Sequence, residues 1–198
     1  MIAALGGELI EKVEEAGNAT HVIAGDDKNS LRRTPKVMIG ICRTSNIVHM
    51  NWLTTSAKKR KAQPCRSFLL VNDTKAEEAY GFNMSDAISR GSEMRREGKT
   101  LLNGMSVFIC KGVAGNKAPP ENELKLIVEA AGGIWVTVPV LEKLKASEGI
   151  IVTSNPAPKK QLSSKEVAKA IKNGMQHRTT SWLFDCIMKQ ELSGLYDK

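Results

Sequence analysis

The residues whose types and spacing could do chemistry gather in one short stretch, Arg32-Arg33-Thr34-Pro35-Lys36. Pro35 suits the first position of a helix, where its fixed φ is already right and no amide is missed. A phosphate at such a helix start gains from unpaired amides and the helix dipole, and a lysine adds a point charge. An arginine fork nearby suits a carboxylate in two-pronged fashion. The same charges also fit a plain solvated surface, and the residues alone leave both readings open. A second basic run, Lys58-Lys59-Arg60-Lys61, fits a helix end that complements the dipole, with nucleic-acid or import binding as the alternative.

Other chemistry finds little support. The four cysteines (Cys42, Cys65, Cys110, Cys186) and three histidines (His21, His49, His177) fall at no metal-ligand spacing, so no metal site is expected. So few cysteines in 198 residues point to reduced thiols and an intracellular setting. No Gly-rich phosphate loop, nucleophile elbow or paired-carboxylate motif occurs, so neither catalytic residues nor a cofactor are expected. Lys and Arg total 29 against 21 acids, and the resulting +8 favours phosphate-bearing partners, either nucleic acid or phosphoprotein. Residues 1–66 carry +5, residues 67–103 carry −1 and residues 104–198 carry +4, so two basic blocks flank a neutral one. With 41% hydrophobic and 25% charged residues the chain reads as globular, and apolar runs of five or six residues are too short to span a membrane. No targeting segment is visible.

The elements that must position these residues come from an internal repeat. Ala3-Ala4-Leu5-Gly6-Gly7 matches Ala130-Ala131-Gly132-Gly133, and Trp52-Leu53-Thr54-Thr55-Ser56 matches Trp182-Leu183-Phe184-Asp185-Cys186. The separation from glycine pair to tryptophan is 45 residues in one copy and 49 in the other, so order and spacing both recur. Gly6-Gly7 and Gly132-Gly133 read as turns. Trp52 and Trp182, each with a small residue four positions on, read as core anchors. His49 and His177 are taken as equivalent, each ahead of its tryptophan helix, which suggests a structural role.

The second copy predicts strands at residues 105–110, 134–136, 149–153 and 176–178. Helices are expected from Pro119-Pro120-Glu121, from a capping box of Ser163 with Glu166, and over residues 181–191. Strands alternating with helices imply a small parallel sheet with helices on its faces. The first copy predicts strands at 20–24 and 47–49 and helices at 35–44 and 51–61. In the second copy 28 residues separate Gly104 from Gly132, whereas five precede Gly6, so the first unit is expected to lack its opening strand and most of its first helix. The middle stretch begins extended at 68–71 and continues with an amphipathic helix bearing Met84, Ala87, Ile88 and Gly91. It is expected to pack on the seam between the units. The expected organisation is therefore 1–66, a linker at 67–103, and 104–198.

This repeat, with its Gly-Gly turn and its tryptophan helix, resembles the BRCT domain, and the whole chain resembles a tandem BRCT pair. Ala4-Leu5-Gly6-Gly7, Arg32-Arg33-Thr34-Pro35-Lys36 and Tyr80-Gly81-Phe82-Asn83-Met84-Ser85-Asp86-Ala87-Ile88-Ser89-Arg90 carry the likeness. The resemblance implies an α/β fold and a non-enzymatic phosphoserine-peptide-binding adaptor in the DNA damage response. It further implies a nuclear location, a monomer, and a phosphorylated partner such as a histone C-terminal tail. By the same resemblance Lys36 is the phosphate-binding lysine, Thr34 supplies a hydroxyl to the phosphate, and Arg33 reaches the residue three after the phosphoserine, including its terminal carboxylate. The family's remaining phosphate ligands, a Ser/Thr-Gly pair, belong to the strand that the first copy is expected to lack. The alternatives are a phosphorylation-independent scaffold and direct DNA binding through the two basic blocks.

Overall fold

In the first unit the chain forms strand β1 (Val22–Ile23), helix α1 (Pro35–Arg43), strand β2 (Ile47–Val48) and helix α2 (Met50–Lys59). A helical linker follows, α3 (Thr74–Tyr80) and α4 (Met84–Arg96). The second unit runs β3 (Ser106–Ile109), α5 (Glu121–Ala130), β4 (Ile134–Trp135), α6 (Val138–Leu141), β5 (Gly149–Thr153), α7 (Lys159–Leu162), α8 (Lys165–Lys172), β6 (Gln176–Thr179) and α9 (Thr180–Lys189). The computed structural model describes residues 1–26 and 28–194, so the last four residues of the expected second unit lie outside the described residues. Helices start where the sequence supplies an acceptor: Thr34, His49, Asp73, Asn83 and Thr179 each cap one by taking an amide hydrogen of its first turn.

The two sheets are parallel and of unequal width. The second has four strands in the order β4-β3-β5-β6, and every residue of β5, held between β3 and β6, is buried. The first has two strands, β1 and β2, paired Val22 with Ile47 and Ile23 with Val48. Among the described residues no strand lies on the far side of β1. A single body of apolar side chains joins the units. Met38, Ile39 and Ile41 of α1 share it with Leu124, Ile127 and Val128 of α5 and with Leu183 and Ile187 of α9. Helix α1 approaches its own sheet closely enough that a Cβ on Gly40 would strike Val22.

The linker helix α4 closes the seam. Arg95 donates from its guanidinium to the carbonyls of Ile41 (3.2 Å) and Cys42 (3.3 Å) and to the Ser45 hydroxyl. One turn earlier, Arg90 Nε donates to the Lys189 carbonyl at 2.9 Å. Buried Gln190 donates to Cys42 Sγ across 3.5 Å, so the ends of α1 and α9 meet beneath α4. The tryptophans are matched in detail. Trp52 donates its indole N–H to the Gln63 carbonyl and Trp182 donates its own to Ser193, each at 2.8 Å and each 11 residues downstream.

Three expectations are corrected. The box of Ser163 with Glu166 does not form, because a short extra helix, α7, precedes α8 and makes Ser163 its C-cap, leaving Ser164 as the cap of α8 without a side-chain bond. His49 and His177 are not equivalent. His49 caps α2 three residues before Trp52, whereas His177 lies within β6, five residues before Trp182, where Nε2 is 2.8 Å from the Thr153 hydroxyl. In the stretch expected to be extended, Phe68 belongs to a 3-10 turn and Leu69 alone bridges Val48.

Two predictions follow from local geometry. Gly132 has φ +80° and a Cβ there would enter the Thr100 side chain, while Gly6, at φ +74°, faces open space. Gly132→Ala should therefore cost more than Gly6→Ala in urea unfolding, by about 1–3 kcal/mol of overpacking added to the left-handed backbone penalty that both share. Burial lowers the pKa of His21, stacked 4.7 Å from Trp52, and of His177, which Arg178 lowers further. Because the fold disfavours the charged rings, stability is complete above their ordinary value of 6.5 and falls as pH drops through it. The urea midpoint should fall between about pH 7.5 and about pH 5.5, and His177→Gln should flatten part of that slope.

Candidate functional site

The site lies at the start of α1. The loop leading there is ordered by two carboxylates. Asp26 accepts the backbone amides of Lys28 and Asn29 (both 2.8 Å) and the Asn29 side-chain amide, and these bonds, led by that of the Asn29 side chain, hold its carboxyl below the usual carboxylate range. Asp73, nearly buried, accepts the Leu31 amide at 2.7 Å with one oxygen and the Ala76 amide at 3.2 Å with the other. One side chain thus caps α3 and anchors the residue two before Arg33.

Thr34 is the N-cap of α1, and its Oγ1 accepts the Val37 amide at 3.3 Å. That bond uses a lone pair and leaves the hydroxyl hydrogen to donate outward. Pro35 has no amide, so the Lys36 amide is the first orphan donor of the helix. The half-buried Lys36 side chain makes no hydrogen bond or ion pair with any described residue. A hydroxyl hydrogen, a free amide, an ammonium and the positive end of a nine-residue helix therefore converge in the sequence Thr34-Pro35-Lys36. Such a set neutralises and orients an anion with several oxygens.

Arg33 is held differently. Its backbone amide donates to the Tyr80 hydroxyl at 3.3 Å, and its guanidinium donates to Asp185 Oδ1 at 2.6 Å. The guanidinium carbon lies 5.0 Å from the centre of the Tyr80 ring and 5.6 Å from that of Phe184. Arg33 thus touches the linker through Tyr80 and the second unit through α9, with its side chain 24% exposed. The second oxygen of Asp185 accepts Ser181 Oγ at 3.4 Å, which orients the carboxylate. Sequence reasoning selected Arg33 and missed this clamp, although Tyr80 opens one quoted motif and Asp185 lies inside the tryptophan motif, where the first copy has Thr55.

Neither large groove contains these residues. A cavity of about 490 Å³ is lined by Ser45, Cys65, Arg66, Ile88 and Arg96, and one of about 560 Å³ by Glu77, Phe82, Arg90, Lys189 and Glu191. The start of α1 is an open surface. Lys58, Lys59, Arg60 and Lys61 are exposed at the other end of the first unit, where they complement the last carbonyls of α2. Among the described residues no three His, Cys, Asp or Glu side chains are grouped to hold a metal ion. Burial pushes the Cys42 and Cys110 thiols up to about 11, so both stay protonated at neutral pH. No helix among the described residues is long and apolar enough to cross a membrane.

Residues 100–197 match the BRCT domain family, and two small parallel sheets flanked by helices, joined by a helical linker and sharing one core through α1, α5 and α9, give the chain the fold of a tandem BRCT pair. Its relatives include the Mediator of DNA damage checkpoint protein 1 of Homo sapiens, 28% identical over 152 residues, which are 77% of this chain and 6% of that protein. The Rattus norvegicus protein of the same name is 26% identical over 190 residues, 96% of this chain and 13% of its own length. The chain thus spans a small part of either relative. The fold matches the crystal structure of the S. pombe Brc1 BRCT5-BRCT6 domains with a TM-score of 0.69 and 20% identity, covering 97% of this chain and 86% of that one.

The clamp yields a direct test. A double-mutant cycle of Arg33→Ala and Asp185→Ala in urea unfolding should return a coupling of about 1 kcal/mol, since the pair is partly exposed. Additive effects would show that the ion pair does not hold the units together.

Proposed function

We propose that this BRCT pair binds phosphoserine peptides, with the phosphate on Lys36 and Thr34 and the residue three positions further on at Arg33. The observation that carries the reading is the uncompensated Lys36 ammonium beside its own free backbone amide and the capping hydroxyl of α1. Arg33 stands three residues earlier with one prong on Asp185, which steers its planar fork and leaves further donors for a peptide carboxylate. The names of the relatives support placing this recognition in the DNA damage response, hence in the nucleus, as an adaptor without catalysis. The fitting ligand is the phosphorylated carboxyl-terminal tail of a chromatin protein, such as a histone. In this scheme residues 1–66 supply the phosphate site, residues 67–103 the brace, and residues 104–198 the facing unit, all within a monomer.

A second reading, a phosphorylation-independent scaffold, is favoured by one observation. Among the described residues the two-stranded first sheet brings no Ser/Thr-Gly strand end to Lys36.

Titration of one serine peptide in phosphorylated and unmodified forms separates the two readings. The phosphopeptide should bind more tightly, and Lys36→Met should weaken it by about tenfold or more, because a hydrogen bond to a charged group contributes about 1.5–3 kcal/mol. Equal affinity for both forms would favour the scaffold. Arg33→Ala should lower the affinity of a phosphopeptide ending in a free carboxylate more than that of its amidated twin. This ratio is insensitive to any loss of stability at the clamp.

A further inference from the structure

Residues 28–72 hold ten lysines and arginines and no aspartate or glutamate. Half of these cations fall within nine residues: Lys58, Lys59, Arg60, Lys61 and Arg66. All five are exposed, and none forms an ion pair with a described residue. Complementing the dipole of α2 accounts for only part of this run. Lys58 and Lys59 belong to the last turn, but the Ser56 and Ala57 carbonyls there already accept the Lys61 and Arg60 amides, each at 3.1 Å. Lys61 and Arg66 lie beyond the helix altogether.

The segment that carries them is fastened. Beyond its bond from Trp52, Gln63 donates its amide to the buried Ser56 hydroxyl at 3.1 Å and its side-chain amide to the Lys61 carbonyl at 2.9 Å. Its side-chain oxygen accepts the Lys59 ammonium at 3.2 Å, a neutral partner that leaves the charge uncancelled. Like charges are thus held close together by their own backbone, and a polyanion relieves their repulsion. The cavity of about 490 Å³ continues this surface, and Arg66 belongs to both. Arg96, Ser89 and Ser92 line it from α4, and Ser45 and Asn46 from the turn before β2. Its one carboxylate, Glu93, lies on Arg96 at 3.4 Å. Cations beside hydroxyl and amide side chains are the groups that hold a sugar-phosphate backbone.

We propose that the end of α2, the turn after it and the groove beside Arg66 form a binding surface for the phosphate backbone of double-stranded DNA, without regard to sequence. Lys58, Lys59, Arg60 and Lys61 supply the first contacts and Arg66 leads the strand toward the groove. Among the described residues no aromatic side chain is exposed, so single-stranded bases have no platform on which to stack. Strand β2 runs parallel to β1 and α2 returns antiparallel to it, so this surface and the start of α1 lie at opposite ends of the first unit. DNA and a peptide at α1 can therefore be held together. Only the choice of DNA over an RNA duplex rests on the proposed chromatin ligand; the surface itself does not.

The probe is a short fluorescent DNA duplex without terminal phosphates, titrated with the whole protein at salt from about 50 to about 200 mM. Saturable binding indifferent to sequence is expected, and the logarithm of affinity should fall against the logarithm of salt with a slope of about −4 for four or five phosphate contacts. Lys61→Gln combined with Arg66→Gln should make that slope shallower by about two and weaken binding at the lower salt by about tenfold or more. The same loss of two charges on α8, Lys169→Gln combined with Lys172→Gln, should change neither. All four side chains are exposed, so folding is not at stake. An equal fall in the α8 variant would reduce the effect to net charge and overturn the proposal. So would no binding at the lower salt, tighter binding of a single strand or of an RNA duplex, or displacement of the DNA by a phosphoserine peptide, which would move it to the start of α1. DNA binding of the expected slope in a chain indifferent to peptide phosphorylation would uphold this surface while the reading of α1 fell.

Discussion

Helix α1 must be buried on two sides at once, and the architecture depends on that constraint. Its inner side lies on β1, close enough that position 40 admits only glycine, and its outer side enters the core of the second unit through α5 and α9. A helix so enclosed has only its ends available to solvent. The far end is taken by Arg95 and Gln190. The near end is the candidate site. Burying the helix on both sides thus selects which of its polar groups can meet a ligand, because the middle of the helix is satisfied internally and the last turn is satisfied by α4.

The same burial accounts for the charge distribution. Cations next to the packed surfaces are tied up in defined bonds: Arg33 on Asp185, Arg90 on a carbonyl, Arg95 on two carbonyls and a hydroxyl. Arginine suits that task, since its planar fork serves several acceptors and sheds water more readily than an ammonium. Lysines are left at the periphery. Lys36 stands in the first turn of a nine-residue helix capped by a threonine hydroxyl, where backbone and side chain favour the same sign of ligand.

Much of this was legible in the sequence because it is periodic or local. Strand β5 coincides with its expected span, and α1, α2, α4 and α9 lie where apolar spacing and caps put them. The paired landmarks identified the duplication because glycine turns and a helix-borne tryptophan tolerate few replacements. What escaped reading was short or distant. Helices α3 and α7 are seven and four residues long, too brief for a period to register. The competing α7 is also why the Ser163 box failed. The partner of Arg33 lies 152 residues away, and nothing local in Arg32-Arg33-Thr34 announces Asp185. Thr34 could be read as polar and well placed, but its commitment to the Val37 amide could not.

The paired indole bonds have a consequence for how such a chain can change length. Each tryptophan reaches a carbonyl 11 residues onward, so the segment that leaves each final helix is measured against the helix itself. An insertion or deletion between Trp52 and Gln63 would displace the entry to the linker and, with it, the brace that α4 lays across the seam. The loop between β3 and α5, turn-rich and largely exposed, has no comparable gauge. Sequence drift in length is therefore expected to collect there, while the interval after each tryptophan keeps a fixed count.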